Sequence, residues 1–360
     1  MKRSLHPRAA ILQMQAYSPP TGGREGKLRL DFNENTIGCS PAVAKAMREK
    51  VGPEQLAVYP EYARARAALS AFLGVDEAQL LLTNGTDEAI QLLINTYVDA
   101  GDEVIIPHPS YAMYRFYAEV AGASVQAIPY REKGLEFPID EVLAAVDERT
   151  RAVLLANPNN PTGTGISLGQ IEQILEKASG AAVLVDEAYY EFYRVTALPL
   201  LKKFPNLFVC RTFSKAFGMA GLRLGCLMSD PENLQFVRKA QSPYSVNVLA
   251  LIAAQAAVRD RDYVDKYVRE VIEAREFLST ALAEIGVPFC ASCANFLLLR
   301  LGSDGRRVKE DLEARGILVR DRSYELPGCV RVTIGSKAQM ETFLAALRPI
   351  LAKGGEWKKA

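Results

Sequence analysis

The chain has 360 residues, 43 Lys plus Arg against 42 Asp plus Glu, a formal net charge of +1 and 49% hydrophobic residues. That length predicts about two domains with ample core. The balanced charge excludes a basic nucleic-acid-binding field and an acidic tail. Because no apolar run approaches a membrane span and the N-terminus lacks the apolar core of a signal peptide, the expectation is a cytoplasmic protein without membrane contact.

In chain order, the basic start Met1-Lys2-Arg3 and the final residues from Gly354 to Ala360 are expected to fray. Pro19-Pro20-Thr21-Gly22-Gly23 is the clearest loop cluster and reads as an arm. From about Gln79 to Met228 short apolar strands alternate with amphipathic helices, the pattern of a mostly parallel sheet covered on both faces. The expected strands are Leu80 to Thr83, Glu103 to Pro107, Ser124 to Ile128, Ala152 to Ala156, Ala182 to Asp186, Leu207 to Arg211 and Leu222 to Met228. Helices fall between them, as at Ile171 to Ala178. After Tyr244 the texture changes. A periodic charged helix over Asp262 to Ile285 leads to an apolar segment at Asn295 to Leu301 and a helix at Arg307 to Arg315. Strands around Ile317 to Arg320 and Val330 to Ile334 and a final helix from Lys337 complete a smaller α+β unit, which the N-terminal segment is expected to join.

Six cysteines in such a length do not make a disulfide framework, and Cys210, Cys226 and Cys290 lie in strand-like apolar runs. Cys290-Ala291-Ser292-Cys293 has redox or half-zinc spacing. With no second pair nearby and only His6 and His108 as imidazoles, free buried thiols are the expectation and no metal is predicted.

Several loops at strand ends carry candidate chemistry. Asn84-Gly85-Thr86-Asp87-Glu88 opens a helix, whose first backbone N–H groups serve an anion or a plain cap equally well. Tyr111, just past a strand, is either a core aromatic or a stacking partner for a flat ring. Asn157-Pro158-Asn159-Asn160-Pro161-Thr162-Gly163 is a tight turn that also sets an amide beside any ligand. The following Gly163-Thr164-Gly165 does not fit a dinucleotide fingerprint, since its third glycine is one position late and several residues separate it from the strand. Asp186 ends a strand where open α/β sheets bind ligands; it caps the next helix or holds a proton on a heteroaromatic nitrogen. In Thr212-Phe213-Ser214-Lys215-Ala216-Phe217-Gly218-Met219-Ala220-Gly221-Leu222-Arg223, two hydroxyls and an arginine suit a phosphate. Lys215 is either a surface lysine next to a helix cap or, desolvated there, an amine suited to condense with an aldehyde.

Taken in order, Gly85-Thr86-Asp87, Asn160 in Asn-Pro-Thr-Gly, Asp186 with Tyr189, Lys215 in Ser-Lys-Ala-Phe-Gly and Arg223 resemble the fold type I aminotransferases that use pyridoxal 5'-phosphate. Asp31-Phe32-Asn33-Glu34-Asn35, Tyr59-Pro60, Ser242-Pro243-Tyr244-Ser245-Val246-Asn247 and Leu318-Val319-Arg320-Asp321 look most like the histidinol-phosphate aminotransferases.

The resemblance implies an α/β fold with a mostly parallel seven-stranded sheet in an α/β/α sandwich plus a smaller α+β domain. It divides the chain into 1–40 (arm and part of the small domain), 41–245 (large domain) and 246–360 (linking helix and small domain). It implies a covalent link from Lys215 to the cofactor, Asp186 on the pyridinium nitrogen, Asn160 and Tyr189 on the ring oxygen, and Tyr111 on the ring face. Gly85, Thr86, Thr212, Ser214 and Arg223 hold the phosphate, Asp87 belongs to the same cofactor set, and Tyr59 reaches the phosphate of a neighbouring subunit, so a homodimer follows. Asn33, Arg320 and Arg331 match substrate contacts. The implied reaction takes L-histidinol phosphate and 2-oxoglutarate. Aromatic amino-acid transamination, decarboxylation of a phosphorylated amino acid and a cofactor-binding regulator without turnover are the alternatives.

Overall fold

The computed structural model describes residues 5–15, 22–131 and 134–354. The Met1-Lys2-Arg3 start, the residues after Gly354 and the Pro19-Pro20-Thr21 part of the expected arm lie outside them. Among the described residues the strands are β1 (Leu28–Leu30), β2 (Leu80–Thr83), β3 (Glu103–His108), β4 (Ser124–Pro129), β5 (Thr150–Ala156), β6 (Ala182–Asp186), β7 (Leu207–Thr212), β8 (Gly225–Ser229), β9 (Phe289–Cys290), β10 (Phe296–Arg300), β11 (Ile317–Asp321) and β12 (Cys329–Thr333).

The larger sheet has seven strands in the order β2-β8-β7-β6-β5-β3-β4. β3 to β7 run parallel, and β8 runs antiparallel to both β2 and β7. Every residue of β6 and β7 is buried. Their side chains alternate between two cores: Val183, Val185, Leu207 and Val209 join one, while Ala182, Leu184, Phe208 and Cys210 join the other. Burial on both faces is why these strands read as continuous apolar runs. The helix Gly85–Tyr97 packs Ala89, Ile90 and Leu93 on one face, and the helix Leu168–Lys177 packs Ile171, Ile174 and Leu175 on the other. This is an α/β/α sandwich.

The second sheet has five strands in the order β1-β11-β12-β10-β9. β1 from the N-terminal segment pairs in parallel with β11, and Arg320 stands opposite Arg331 across the antiparallel pair of β11 and β12. The helices Arg261–Glu284, Gly305–Ala314 and Lys337–Leu351 accompany it. Ser336 starts the last by accepting from the Gln339 backbone N–H while Gln339 returns the bond, a reciprocal cap that satisfies otherwise orphaned donors.

Two local expectations need correction. The strand expected from Leu222 begins only at Gly225, because Ala220–Leu222 form a 3₁₀ turn and Arg223 takes a left-handed φ of 56°. Leu222 and Leu224 imitate a strand's alternation, but the turn aims Arg223 at the start of the helix Gly85–Tyr97. The cysteines are all free, yet Cys39 and Cys293 are only half-buried. No helix among the described residues is long and apolar enough to cross a membrane.

Candidate active site

Strand direction brings one edge of the large sheet together. β2, β3, β5, β6 and β7 end there, and the antiparallel β8 begins there. The residues just past those ends line a cavity of about 420 Å³ that the small sheet closes from the other side. Ligands of open α/β sheets bind in this crevice.

One end of the cavity is a cradle for an anion. Gly85 has φ +74°, and a Cβ on it would lie 2.7 Å from Arg223 Nη2. A Cβ on Gly225 would meet the Gly85 carbonyl carbon at 2.5 Å. The two glycines therefore let the first turn of the helix sit against the guanidinium, where its N–H groups and partial positive charge add to that of arginine. Thr86, Thr212 and Ser214 line the same end. Thr212 Oγ1 accepts from the Ser214 backbone N–H at 3.1 Å, and Arg223 Nη1 donates to Ser214 Oγ at 3.5 Å. Asp87 holds the outer side, accepting from Arg223 Nη2 at 3.0 Å and from the Tyr111 hydroxyl at 2.8 Å.

Asp186 forms the floor at the end of β6, buried to 4% exposure. Its Oδ2 accepts from the Tyr114 hydroxyl at 2.8 Å and its Oδ1 from the Ala188 backbone N–H at 3.0 Å. Burial raises its pKa to about 6 against these hydrogen bonds, so a cation beside it would be needed to keep it fully ionised. Next to it, Glu187 is buried against Arg211 at 2.8 Å and accepts from the Ala197 backbone N–H at 2.6 Å, which pins the ends of β6 and β7.

Lys215 stands in the wall between floor and cradle. Its Nζ donates to the Phe32 carbonyl at 2.9 Å and lies 5.9 Å from the Tyr189 ring centroid. Burial, then the nearby Arg331 charge, lowers its pKa to about 8. An amine so displaced has a free-base fraction of about a tenth at pH 7 and about half at pH 8, far above that of an ordinary lysine, and is ready to act as a nucleophile or base.

The small domain side supplies the opposite wall. Asn33 Nδ2 donates to the Tyr189 hydroxyl oxygen at 2.9 Å, leaving the phenolic hydrogen to donate. Asn33 is held by Thr333, which accepts from its backbone N–H at 3.0 Å, and by Asn295 Nδ2, which donates to its carbonyl at 3.1 Å. Arg331 donates to Asn160 Oδ1 and, through Nη2, to the Asp31 carbonyl at 2.6 Å. Arg320 lies over the Phe32 ring at 5.8 Å and also lines the cavity.

The structure thus gathers Asn33, Thr86, Asp87, Tyr111, Asn160, Asp186, Tyr189, Thr212, Ser214, Lys215, Arg223, Arg320 and Arg331 around one cavity, with Gly85 directly behind Arg223. Tyr59 is not among them: it is 75% exposed and stacks on Tyr244 at 4.3 Å on the outside of the chain. Sequence reasoning missed Phe32, Tyr114 and Arg322, all in the lining. Tyr114 is one helical turn from Tyr111, and Arg322 is two residues beyond Arg320, which puts both arginines on one side of an extended chain.

Residues 25–347 match the family model for aminotransferase class I and II. The chain belongs to that family. This aminotransferase is 37% identical to histidinol-phosphate aminotransferase 2 of Carboxydothermus hydrogenoformans, over 90% of its own length and 91% of the relative's. It is 36% identical to the histidinol-phosphate aminotransferase of Ruegeria pomeroyi, over 89% and 90% of the two chains. Among solved structures, the histidinol-phosphate aminotransferase of Sinorhizobium meliloti in complex with pyridoxal-5'-phosphate superposes with a TM-score of 0.87 at 26% identity, covering 98% of this chain and 99% of that one.

Proposed function

We propose that this aminotransferase uses pyridoxal 5'-phosphate to move the amino group of L-histidinol phosphate to 2-oxoglutarate, giving imidazole acetol phosphate and L-glutamate, a step of histidine biosynthesis. The observation that carries the reading is one cavity with a deprotonatable lysine and a buried aspartate on one wall and arginines on the other. The names and extent of the relatives support it.

The residues present fit the cofactor. The glycine cradle, where a Cβ would collide with Arg223, leaves room for phosphate oxygens against backbone N–H groups, and a buried carboxylate sits at the floor for a protonated ring nitrogen. In this reading Gly85, Thr86, Thr212, Ser214 and Arg223 hold the phosphate, with Asp87 fixing Arg223. Asp186 faces the ring nitrogen, Asn160 and Tyr189 the ring oxygen, and Tyr111 the ring face. When bound, the cofactor supplies an aldehyde that takes up amines and a ring that withdraws electrons from the amino carbon. Asp186, once paired with a cation, keeps that nitrogen protonated. With the cofactor and donor bound, Lys215 would take the proton from the substrate Cα as a base and give it up again as an acid. Asn33 and Arg331 orient the donor, and Arg331 and Arg320 offer forks to phosphate in one half-reaction and carboxylate in the other.

Exposed Ile37, Leu56, Val58, Tyr59 and Tyr244 give the outer surface large apolar groups. We read them as part of a homodimer contact in which Tyr59 reaches a second copy's cofactor phosphate. The division at 1–40, 41–245 and 246–360 and a cytoplasmic location complete the reading.

The deciding measurement is kcat/KM for histidinol phosphate, histidinol and phenylalanine with 2-oxoglutarate. Histidinol phosphate should exceed histidinol by at least about a hundredfold, because charge-assisted bonds to a phosphate dianion are worth several kcal/mol. If phenylalanine is the best donor, the enzyme is an aromatic aminotransferase instead.

A further inference from the structure

Three guanidiniums share one side of the small sheet. Arg320 lies near the end of β11 and Arg322 just past it, and Arg331 stands across from Arg320 on β12. All three line the cavity. After the effect of burial, Arg322 acts most strongly on Arg331, and Arg320 adds to it in the same sense. Glu325 faces all three, and its Oε2 accepts from Arg322 Nη2. Counted without Asp87, Asp186, Lys215 and Arg223, which also line the cavity, these three positive charges against the one negative charge of Glu325 leave an excess of about two, which is the charge of a phosphate monoester near neutral pH.

Arg322 is built in rather than adventitious. It is 5% exposed, and its Nε finds no hydrogen-bond acceptor among the described residues. A buried donor left unpaired costs on the order of 1–3 kcal/mol, so an acceptor arriving in the cavity recovers that cost. The turn after β11 holds the residue rigidly: its backbone N–H donates to the Cys329 carbonyl at 2.9 Å, and its own carbonyl accepts from the N–H groups of Glu325 at 3.0 Å and Leu326 at 2.9 Å. Glu325 also lines a neighbouring outer cavity beside His108 and Arg115, on the far side of Arg320. Tyr111, Ala112 and Arg320 line both cavities, and the Arg322–Glu325 pair crosses the wall between them, Arg322 on the inner side and Glu325 on the outer.

We propose that Arg322 is a specificity-determining residue for the phosphate-bearing tail of the amino donor, with Glu325 as a placeholder carboxylate that the incoming dianion displaces. The inference rests on the reading of the enzyme as a transaminase of a phosphorylated donor and adds to it a third guanidinium and an exchange of partners. A phosphate offers three acceptor oxygens at one point and engages more than one fork, whereas each carboxylate of glutamate offers two oxygens and a single charge. Arg322 thus favours the phosphorylated donor over glutamate. Displacement leaves Glu325 to the water of the outer cavity.

The test uses the holoenzyme and the variants Arg322→Gln and Glu325→Gln. Arg322→Gln should reduce kcat/KM for histidinol phosphate at least about tenfold more than for glutamate, chiefly through KM. Glu325→Gln should tighten inorganic phosphate severalfold in calorimetric titration of the holoenzyme, since the competing carboxylate is gone. Equal losses for the two donors in Arg322→Gln, or unchanged or weaker phosphate binding in Glu325→Gln, overturn the inference. If Arg322→Gln does not fold by thermal melting, the Glu325→Gln titration decides alone. A wild type that transaminates glutamate but does not prefer histidinol phosphate to histidinol overturns the substrate reading and this inference together; a wild type that does prefer it, with unaltered preference in Arg322→Gln, overturns this inference only.

Discussion

Burial acts on Lys215 and Asp186 in opposite chemical senses, lowering the amine to about 8 and raising the carboxyl to about 6. Both shifts disfavour the charged form. For Lys215 the consequence is reactivity: capture of pyridoxal 5'-phosphate by the apoprotein, trapped with borohydride, should rise with pH around a midpoint near 8 rather than 10.5. Lys215→Ala should lose the reducible linkage; covalent labelling that survives in the mutant would remove the lysine from its role. For Asp186 the consequence is also stability. Its folded pKa lies above the unfolded 3.8, so its contribution is fully present below about 3.8, is lost as pH rises to about 6, and stays lost above. Asp186→Asn, which keeps an acceptor for Tyr114, should therefore stabilise the apoprotein more at pH 8 than at pH 5, by about 1–2 kcal/mol, read as a larger rise in melting temperature at pH 8. The same variant should lose at least about a hundredfold in kcat, because a neutral amide cannot keep the ring nitrogen protonated. Near-normal kcat, or a melting gain larger at pH 5, would refute the assignment.

At the scale of elements, the anion cradle depends on how closely β8 approaches the start of the helix Gly85–Tyr97. Gly225 makes that approach possible, since a Cβ there would sit 2.5 Å from the Gly85 carbonyl carbon and 2.8 Å from the Thr86 nitrogen. Those neighbours are backbone and cannot swing aside. Gly225→Ala should move the helix start away from Arg223 and weaken cofactor affinity by at least about tenfold, with a smaller loss of thermal stability because the sheet core is untouched. Spectroscopic titration of the apoprotein with the cofactor measures it, and an affinity equal to wild type would mean the cradle is looser than its contacts indicate. The Leu222 to Leu224 turn belongs to this device. Its alternation of apolar residues is that of a strand, and only packing against the helix start converts it into a left-handed corner.

At the scale of the whole molecule, Tyr59 is the expected cofactor contact that lies apart from the chain's own cavity. Its ring stacks on Tyr244 among exposed Leu56 and Val58. If two copies share their sites, mixing inactive Lys215→Ala with an inactive Tyr59 variant should restore part of the activity, up to roughly a quarter for random pairing in which one of two sites is intact. Sedimentation of a fully active monomer would end the idea.

Local order was legible in the residues themselves. The central strands β5, β6 and β7 are buried on both faces, so hydrophobicity alone marks them. The chemistry at their ends was legible because Asp186 ends a strand and Asn160 and Lys215 follow one within a few residues, and strand ends in such sheets face the ligand crevice. What needed the tertiary structure was every relation between distant segments. The antiparallel direction of β8 and the hydroxyl of Tyr114 on Asp186 arise from packing in and on the larger sheet, the Phe32 carbonyl on Lys215 from the meeting of the two sheets, and the Arg322–Glu325 pair, although local, stands beside Arg331 only because β11 pairs with β12. Periodicity reports which face of an element is buried but not what that face meets. The pKa shifts that ready Lys215 and Asp186 come from that meeting, because desolvation is a property of the assembled cavity and not of any one segment.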